Sequence, residues 1–165
     1  MPDSALKIRP AAADDADVVF DLLMQLAVYE KIEHIVEATP ALLAETMFGP
    51  NSHVEVLLAE MDGQPAGVAV FFLNYSTFIG RSGLYLEDIF VPETHRKQGI
   101  GKSLLRAVVQ IAAERDCRRV DWSVLDWNES AIGFYESIGA KMLTEWRIMR
   151  MNTAAIKQFA DQNNT

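Results

Sequence analysis

Two adjacent carboxylates, Glu87 and Asp88, interrupt an otherwise apolar run, Leu84-Tyr-Leu-Glu-Asp-Ile-Phe-Val91. Acids on such a run are not ordinary core residues; they can hold a cation or move a proton, or else mark a solvated edge-strand end. A basic turn follows, Arg96-Lys97-Gln98-Gly99-Ile100-Gly101-Lys102, and then an apolar helical pattern. A helix N-terminus leaves several N–H groups unpaired and its dipole favours negative charge. The glycines let a ligand approach the backbone, and Arg96, Lys97 and Lys102 add positive charge. The stretch reads as a pyrophosphate site beside a carboxylate pair; its plainer alternative is a flexible turn with solvated charges. Gly101-Lys102-Ser103 is not a nucleotide P-loop, because Arg96 stands where that motif needs glycine. A dinucleotide fingerprint would need its last glycine at Leu104, and no ribose-binding acid follows.

The elements that must position these groups are legible in order. Leu6 to Pro10 alternates as a short strand, and Asp14 or Asp15 caps a helix to about Tyr29 with Val18, Val19, Leu22, Leu23, Leu26 and Ala27 at helical spacing. Thr39-Pro40 opens a second helix that stops before Gly49-Pro50. Strands are predicted over 53–60 and 65–74 about an Asp62-Gly63 hairpin turn, the second buried on both faces. A loop, 75–82, leads to the carboxylate strand, where Glu87 and Asp88 face opposite ways if it is regular. A helix follows from Gly99 to Arg115 with Leu104, Leu105, Val108, Val109 and Ala112 on its inner side. Next come a strand over 119–125, a helix over 129–138 between Asn128 and Gly139, a final strand over 141–151 and a short tail helix. The pattern predicts one α/β domain over residues 1–165, a mixed sheet with helices on both faces.

The chain has 165 residues, half of them apolar, enough for one substantial core. Its formal charge of −8 argues against a nucleic-acid partner and suits a cationic small molecule. The single Cys117 excludes an internal disulfide and a thiolate metal cluster. His34, His53 and His95 are too scattered for metal-ligand spacing, so no metal is expected. No apolar signal run or membrane-spanning stretch is present, and a cytoplasmic protein without a membrane partner is the expectation.

Arg96-x-x-Gly99-x-Gly101 between strand and helix resembles the acetyl-coenzyme A signature of the GNAT N-acetyltransferases. Ile8-Arg9-Pro10, Ala27-Val28-Tyr29-Glu30, Tyr85-Leu-Glu-Asp88, Val124-Leu-Asp-Trp-Asn128 and Phe134-Tyr135 before Gly139-Ala140 extend the likeness over most of the chain. Tyr-Leu-Glu-Asp with Asp-Trp-Asn points to the spermidine/spermine and thialysine branch. The resemblance implies a GNAT fold, a mostly antiparallel mixed sheet splayed where acetyl-coenzyme A binds. Gly99, Ile100, Gly101 and Lys102 would hold the pyrophosphate, with Arg96, Lys97 and Gln98 around it. Ile89, Phe90 and Val91 would offer main-chain groups to the pantetheine arm, and one N–H to the acetyl carbonyl. Asn128 would touch the coenzyme, although it serves equally as a helix cap.

The same resemblance makes Glu87 a general base acting through water and Tyr135 both a coenzyme contact and the general acid for the thiolate; read without it, Tyr135 is a core aromatic. It puts Tyr29, Glu30, Phe78, Arg81, Asp88 and Trp127 around a small cationic amine. A lysine-like amine costs about 4.6 kcal/mol to neutralise at pH 7, so a distal charge on Glu30 with the reacting nitrogen in a drier spot near Glu87 is the expected division. Polyamine-specific members carry an acid in the loop before the carboxylate strand. Here that loop has none and adds Arg81, which either pairs with a substrate carboxylate or is solvated. A diamino acid of the thialysine or lysine type and a diamine or polyamine both stay open. So do a protein amino group, an aminoglycoside, and a non-catalytic acyl-coenzyme A sensor. The branch implies a homodimer.

Overall fold

The computed structural model describes residues 6–162; the first five positions of the N-terminal stretch read above lie outside them. The described strands form one five-stranded sheet, ordered β1 (Leu6–Pro10), β2 (Val54–Met61), β3 (Gln64–Ser76), β4 (Arg81–Phe90) and β5 (Val120–Trp122). β1 to β4 are antiparallel neighbours, and β5 joins β4 in parallel. The β2–β3 connection is a two-residue turn in which Asp62 and Gly63 both have positive φ, as a tight hairpin of right-handed twist requires. β3 is buried on both faces from Ala66 to Phe71, which places it centrally.

Helices α1 (Ala16–Glu30) and α2 (Pro40–Phe48) cover one face. Val19, Leu22 and Leu43 pack there on Val56, Leu58, Val68, Val70 and Phe90. Thr39 caps α2 by accepting from the Leu42 N–H at 3.2 Å, with Pro40 in the first turn, as its sequence dictates. Helix α3 (Ile100–Glu114) covers the other face through Ile100, Leu104, Leu105, Val108 and Ala112. Val109 turns outward instead of joining that stripe. Gly67 lets α3 sit close: a Cβ there would meet the Phe90 carbonyl oxygen at 2.9 Å and Leu104 at 3.0 Å.

The chain falls into two compact units, one ending at Ser123 and one starting at Val124. The second holds α4 (Glu129–Ser137) and α5 (Thr153–Asp161). The final strand predicted over 141–151 is not formed: the segment has one turn and otherwise no regular structure, it is exposed, and no ladder in the described sheet includes it. Its apolar pattern suits a strand, but a strand forms only where a neighbour pairs its N–H and C=O groups. Among the described residues no helix is long and apolar enough to cross a membrane.

Candidate active site

The carboxylate strand is not regular. Val70 pairs with Asp88 and Phe71 with Leu86, so Glu87 is the extra residue of a β-bulge. Strict alternation would have set Asp88 with Leu86 on the α3 face. The bulge instead returns it beside Phe90 to the face that α1 covers, so the expected opposition of Glu87 and Asp88 does not hold. Glu87 is exposed and Asp88 half-buried. Burial, reinforced by the charges of Glu87 and Glu30, pushes the Asp88 carboxyl up to about 6.

Glu30 is the last residue of α1, and its own carboxyl is raised by burial. An acid at a helix C-terminus opposes the dipole, and no basic residue in the last turn offsets it. Such a local conflict is tolerated where a cation is to be bound. Thus one strand and one helix end bring Glu30, Glu87 and Asp88 together.

β5 pairs only with Leu84, Tyr85 and Leu86, so the sheet opens along the later part of β4, where Ile89 and Phe90 lie opposite Ala69 and Val68. The turn into α3 then places Lys97 (φ 63°) and Gly99 (φ 78°) in the left-handed region. Gly99 is the N-cap of α3 and no side chain caps the helix. A Cβ on Gly99 would meet nothing within 4 Å, so open space, not packing, lies over the turn. The first turn carries Lys102 and no acid, leaving a cradle of backbone N–H groups suited to a pyrophosphate. The Gln98 amide closes the loop by donating to the Thr94 carbonyl at 3.4 Å.

Arg96 does something its spacing did not reveal. Its guanidinium lies 4.6 Å from the centre of the Tyr29 ring and 5.9 Å from that of Phe90, and its Nε donates to the Val91 carbonyl at 3.1 Å. It therefore ties the glycine turn to the end of α1 that bears Glu30. The neighbouring aromatic and the motif arginine were both visible in sequence; only the fold makes them partners.

Phe78 and Arg81 lie elsewhere. Phe78 is fully exposed, and Arg81 sits 3.9 Å from Asp116 at the start of β4. Seven residues of strand, about 23 Å, separate Arg81 from Asp88. In the second unit, Asn128 caps α4, its Oδ1 accepting from the Ala131 N–H at 3.3 Å, and Trp127 is half exposed. Tyr135 lies on α4 with its ring 5.5 Å from that of Phe134, and burial raises its phenol above the ordinary value. No group of three His, Cys, Asp or Glu side chains among the described residues is arranged to hold a metal ion.

A parallel edge strand that leaves its neighbour early, beside a glycine-gated helix N-terminus, makes a site suited to an extended ligand that carries a pyrophosphate. Comparison with known proteins makes this specific. The family model described as Acetyltransferase (GNAT) family matches residues 20–140. The L-ornithine N5-acetyltransferase NATA1 of Arabidopsis thaliana is 33% identical, over 92% of this chain and 86% of its own. The thialysine N-epsilon-acetyltransferase of Sus scrofa is 33% identical over 95% of this chain and 98% of its own. Among solved structures, an integron cassette protein from the V. cholerae mobile metagenome superposes with a TM-score of 0.79 at 25% identity, covering 94% of this chain and 97% of that one. The chain belongs to the GNAT acetyltransferase family. It is an acetyl-coenzyme A-dependent transferase that acetylates an amine.

Proposed function

We propose that the amine is a primary amine of a small cationic substrate, a diamino acid of the thialysine, lysine or ornithine type or a short diamine. The observation that carries this is the grouping of Glu30 and Asp88, both partly buried, with the exposed Glu87, a cluster of negative charge that a cation would relieve. The names of the two relatives favour the diamino acid. Arg81, already beside Asp116, adds no support for a substrate carboxylate.

Acetyl-coenzyme A supplies an activated acetyl thioester. The turn fits its pyrophosphate through the open Gly99 and the N–H groups of Ile100, Gly101 and Lys102, with Lys97 and Lys102 as counter-charges. The free edge at Ile89 and Phe90 fits the extended arm. The Val91 carbonyl is already taken by Arg96. One carboxylate of the Glu87–Asp88 pair takes the proton from the ammonium, the role that the family likeness gives to Glu87. Tyr135, whose phenol is raised by burial, is given by the family likeness the role of proton donor to the departing sulfur. A homodimer and a cytoplasmic setting, where Cys117 stays reduced, complete the reading.

The test is thiol release with ornithine, lysine, thialysine, spermidine and a lysine-containing peptide, for wild type and Tyr135→Phe. Turnover of a diamino acid is expected, with kcat lowered about 100-fold in the variant and little change in the KM of the amine. Turnover of the peptide alone would replace the small substrate with a protein amino group. Tight coenzyme binding without turnover on any amine would turn the reading to a sensor.

A further inference from the structure

Within the proposed acetyl transfer to a small amine, on which this rests, we infer that Asp88, rather than Glu87, accepts the proton of the attacking ammonium, while Glu87 and Glu30 hold the charge of the substrate. The bulge separates the two acids by environment. It leaves Glu87 as the extra, exposed residue. It returns Asp88 to the ladder opposite Val70, on the face that α1 covers. A base must give and take its proton near the working pH, and only the shielded member of the pair is placed to do so.

The surroundings of Asp88 can be named from each side. From α1 comes Glu30, with Tyr29 next to it. From its own strand comes Glu87; Arg96, in the turn before α3, is engaged with Tyr29, Phe90 and the Val91 carbonyl and is not among the charges acting on Asp88. β3 presents apolar Val70. With two carboxylates and no closely paired cation acting on it, the Asp88 carboxyl rises to about 6. Relative to an ordinary aspartate this makes proton transfer from an ammonium about 100-fold less unfavourable.

The ammonium gives one proton to the Asp88 carboxylate, which returns it to water. The neutral nitrogen then forms the new C–N bond as the C–S bond breaks. The electron pair of that bond leaves on sulfur, which takes a proton from Tyr135. The second nitrogen proton is shed on amide formation and replaces, through water, the one that Tyr135 gave up. No oxidant or further reactant is needed.

The pH profile of kcat/KM for the amine, with Asp88→Asn and Glu87→Gln beside wild type, tests this. Wild type should lose activity as pH falls through about 6. Glu87→Gln should keep an acid limb, moved to somewhat lower pH because one carboxylate that raises Asp88 is gone, while its amine KM rises. Asp88→Asn should lose the limb and about 100-fold of kcat at pH 7, with its coenzyme Kd changed by no more than about twofold. An acid limb retained in Asp88→Asn, or abolished by Glu87→Gln, would overturn the assignment in favour of Glu87. A carboxyl-carbon NMR titration of the unliganded protein decides the point independently of turnover: an aspartate signal moving near pH 6 and missing from Asp88→Asn is expected, and titration of that signal near 4 would sink the proposal. Absence of turnover with every amine would instead count against the acetyl-transfer reading and leave the NMR result to judge Asp88.

Discussion

At the scale of single residues, the site keeps charge where a folding chain would rather not. Asp88 is the clearest case: its carboxyl is raised to about 6, so the folded state binds its proton more tightly than the unfolded chain does. The favourable contribution is whole below the ordinary aspartate range and is lost as pH rises through about 6; above that the ionised group costs stability. Asp88→Asn should therefore be more stable than wild type at pH 7.5, by on the order of 1–2 kcal/mol after allowing for partial exposure. The gain should shrink to nothing below about pH 4. Thermal unfolding of both proteins across that range measures it, and equal stability at neutral pH would mean that Asp88 is not under strain. The acids were legible as odd residues on an apolar run, since side-chain chemistry shows directly in sequence. Their different burial was not, because one extra residue in a ladder depends on the partner strand and leaves no local mark.

At the scale of elements, the glycine turn, the second helix and the β2–β3 hairpin read out well, since Gly99, Thr39 and Asp62-Gly63 each carry a backbone instruction in their own chemistry, whereas Asp15 at the start of α1 makes no side-chain cap bond to that helix. What joins elements did not read out. Arg96 was visible only as a positive charge for an anion, yet it is stacked on Tyr29. A lysine cannot reproduce the flat stack or the Nε hydrogen bond to Val91. Arg96→Lys should thus raise the KM of the amine by about 2- to 5-fold along with that of the coenzyme, the worth of an exposed cation–π contact. A change confined to the coenzyme KM would reduce Arg96 to a plain counter-charge.

A second arginine makes the same kind of junction away from the site. Arg9 on β1 donates to both Asp15 oxygens, at 2.7 and 2.8 Å, and to Glu60 on β2 at 2.8 Å. The Asp15 carboxyl is held down at about 2, first by that hydrogen bond from Arg9. Its contribution is present above the ordinary aspartate range and lost as pH falls through about 2. Asp15→Asn should cost about 1 kcal/mol at pH 7 and progressively less below pH 4, the reverse of the trend for Asp88→Asn. Chemical denaturation at pH 7 and pH 3 distinguishes the two signs.

At the scale of the whole molecule, the mixed sheet follows from the alternation of strands and helices that the sequence displays, and its opening at β4 agrees with what the family resemblance implied. The C-terminal segment breaks that correspondence for a physical reason. Residues 141–151 have the apolar content of a strand, but a single chain gives them no ladder, and Trp146 and Met149 stand 75% and 91% exposed. In α5, Ile156 and Phe159 are exposed as well. So much apolar surface in one short stretch is more than a free monomer usually displays, and a second copy of the chain is the partner that the proposed homodimer supplies. The expected outcome is a particle of twice the monomer mass by light scattering at micromolar concentration, shifted toward monomer by Trp146→Glu, with the coenzyme affinity of the glycine turn unchanged. Monomeric wild type across that range would leave 141–151 exposed in solution and remove the dimer from the proposal. A dimer indifferent to both Trp146→Glu and Met149→Glu would place the interface on another surface, and the missing strand would then have to be explained within one chain.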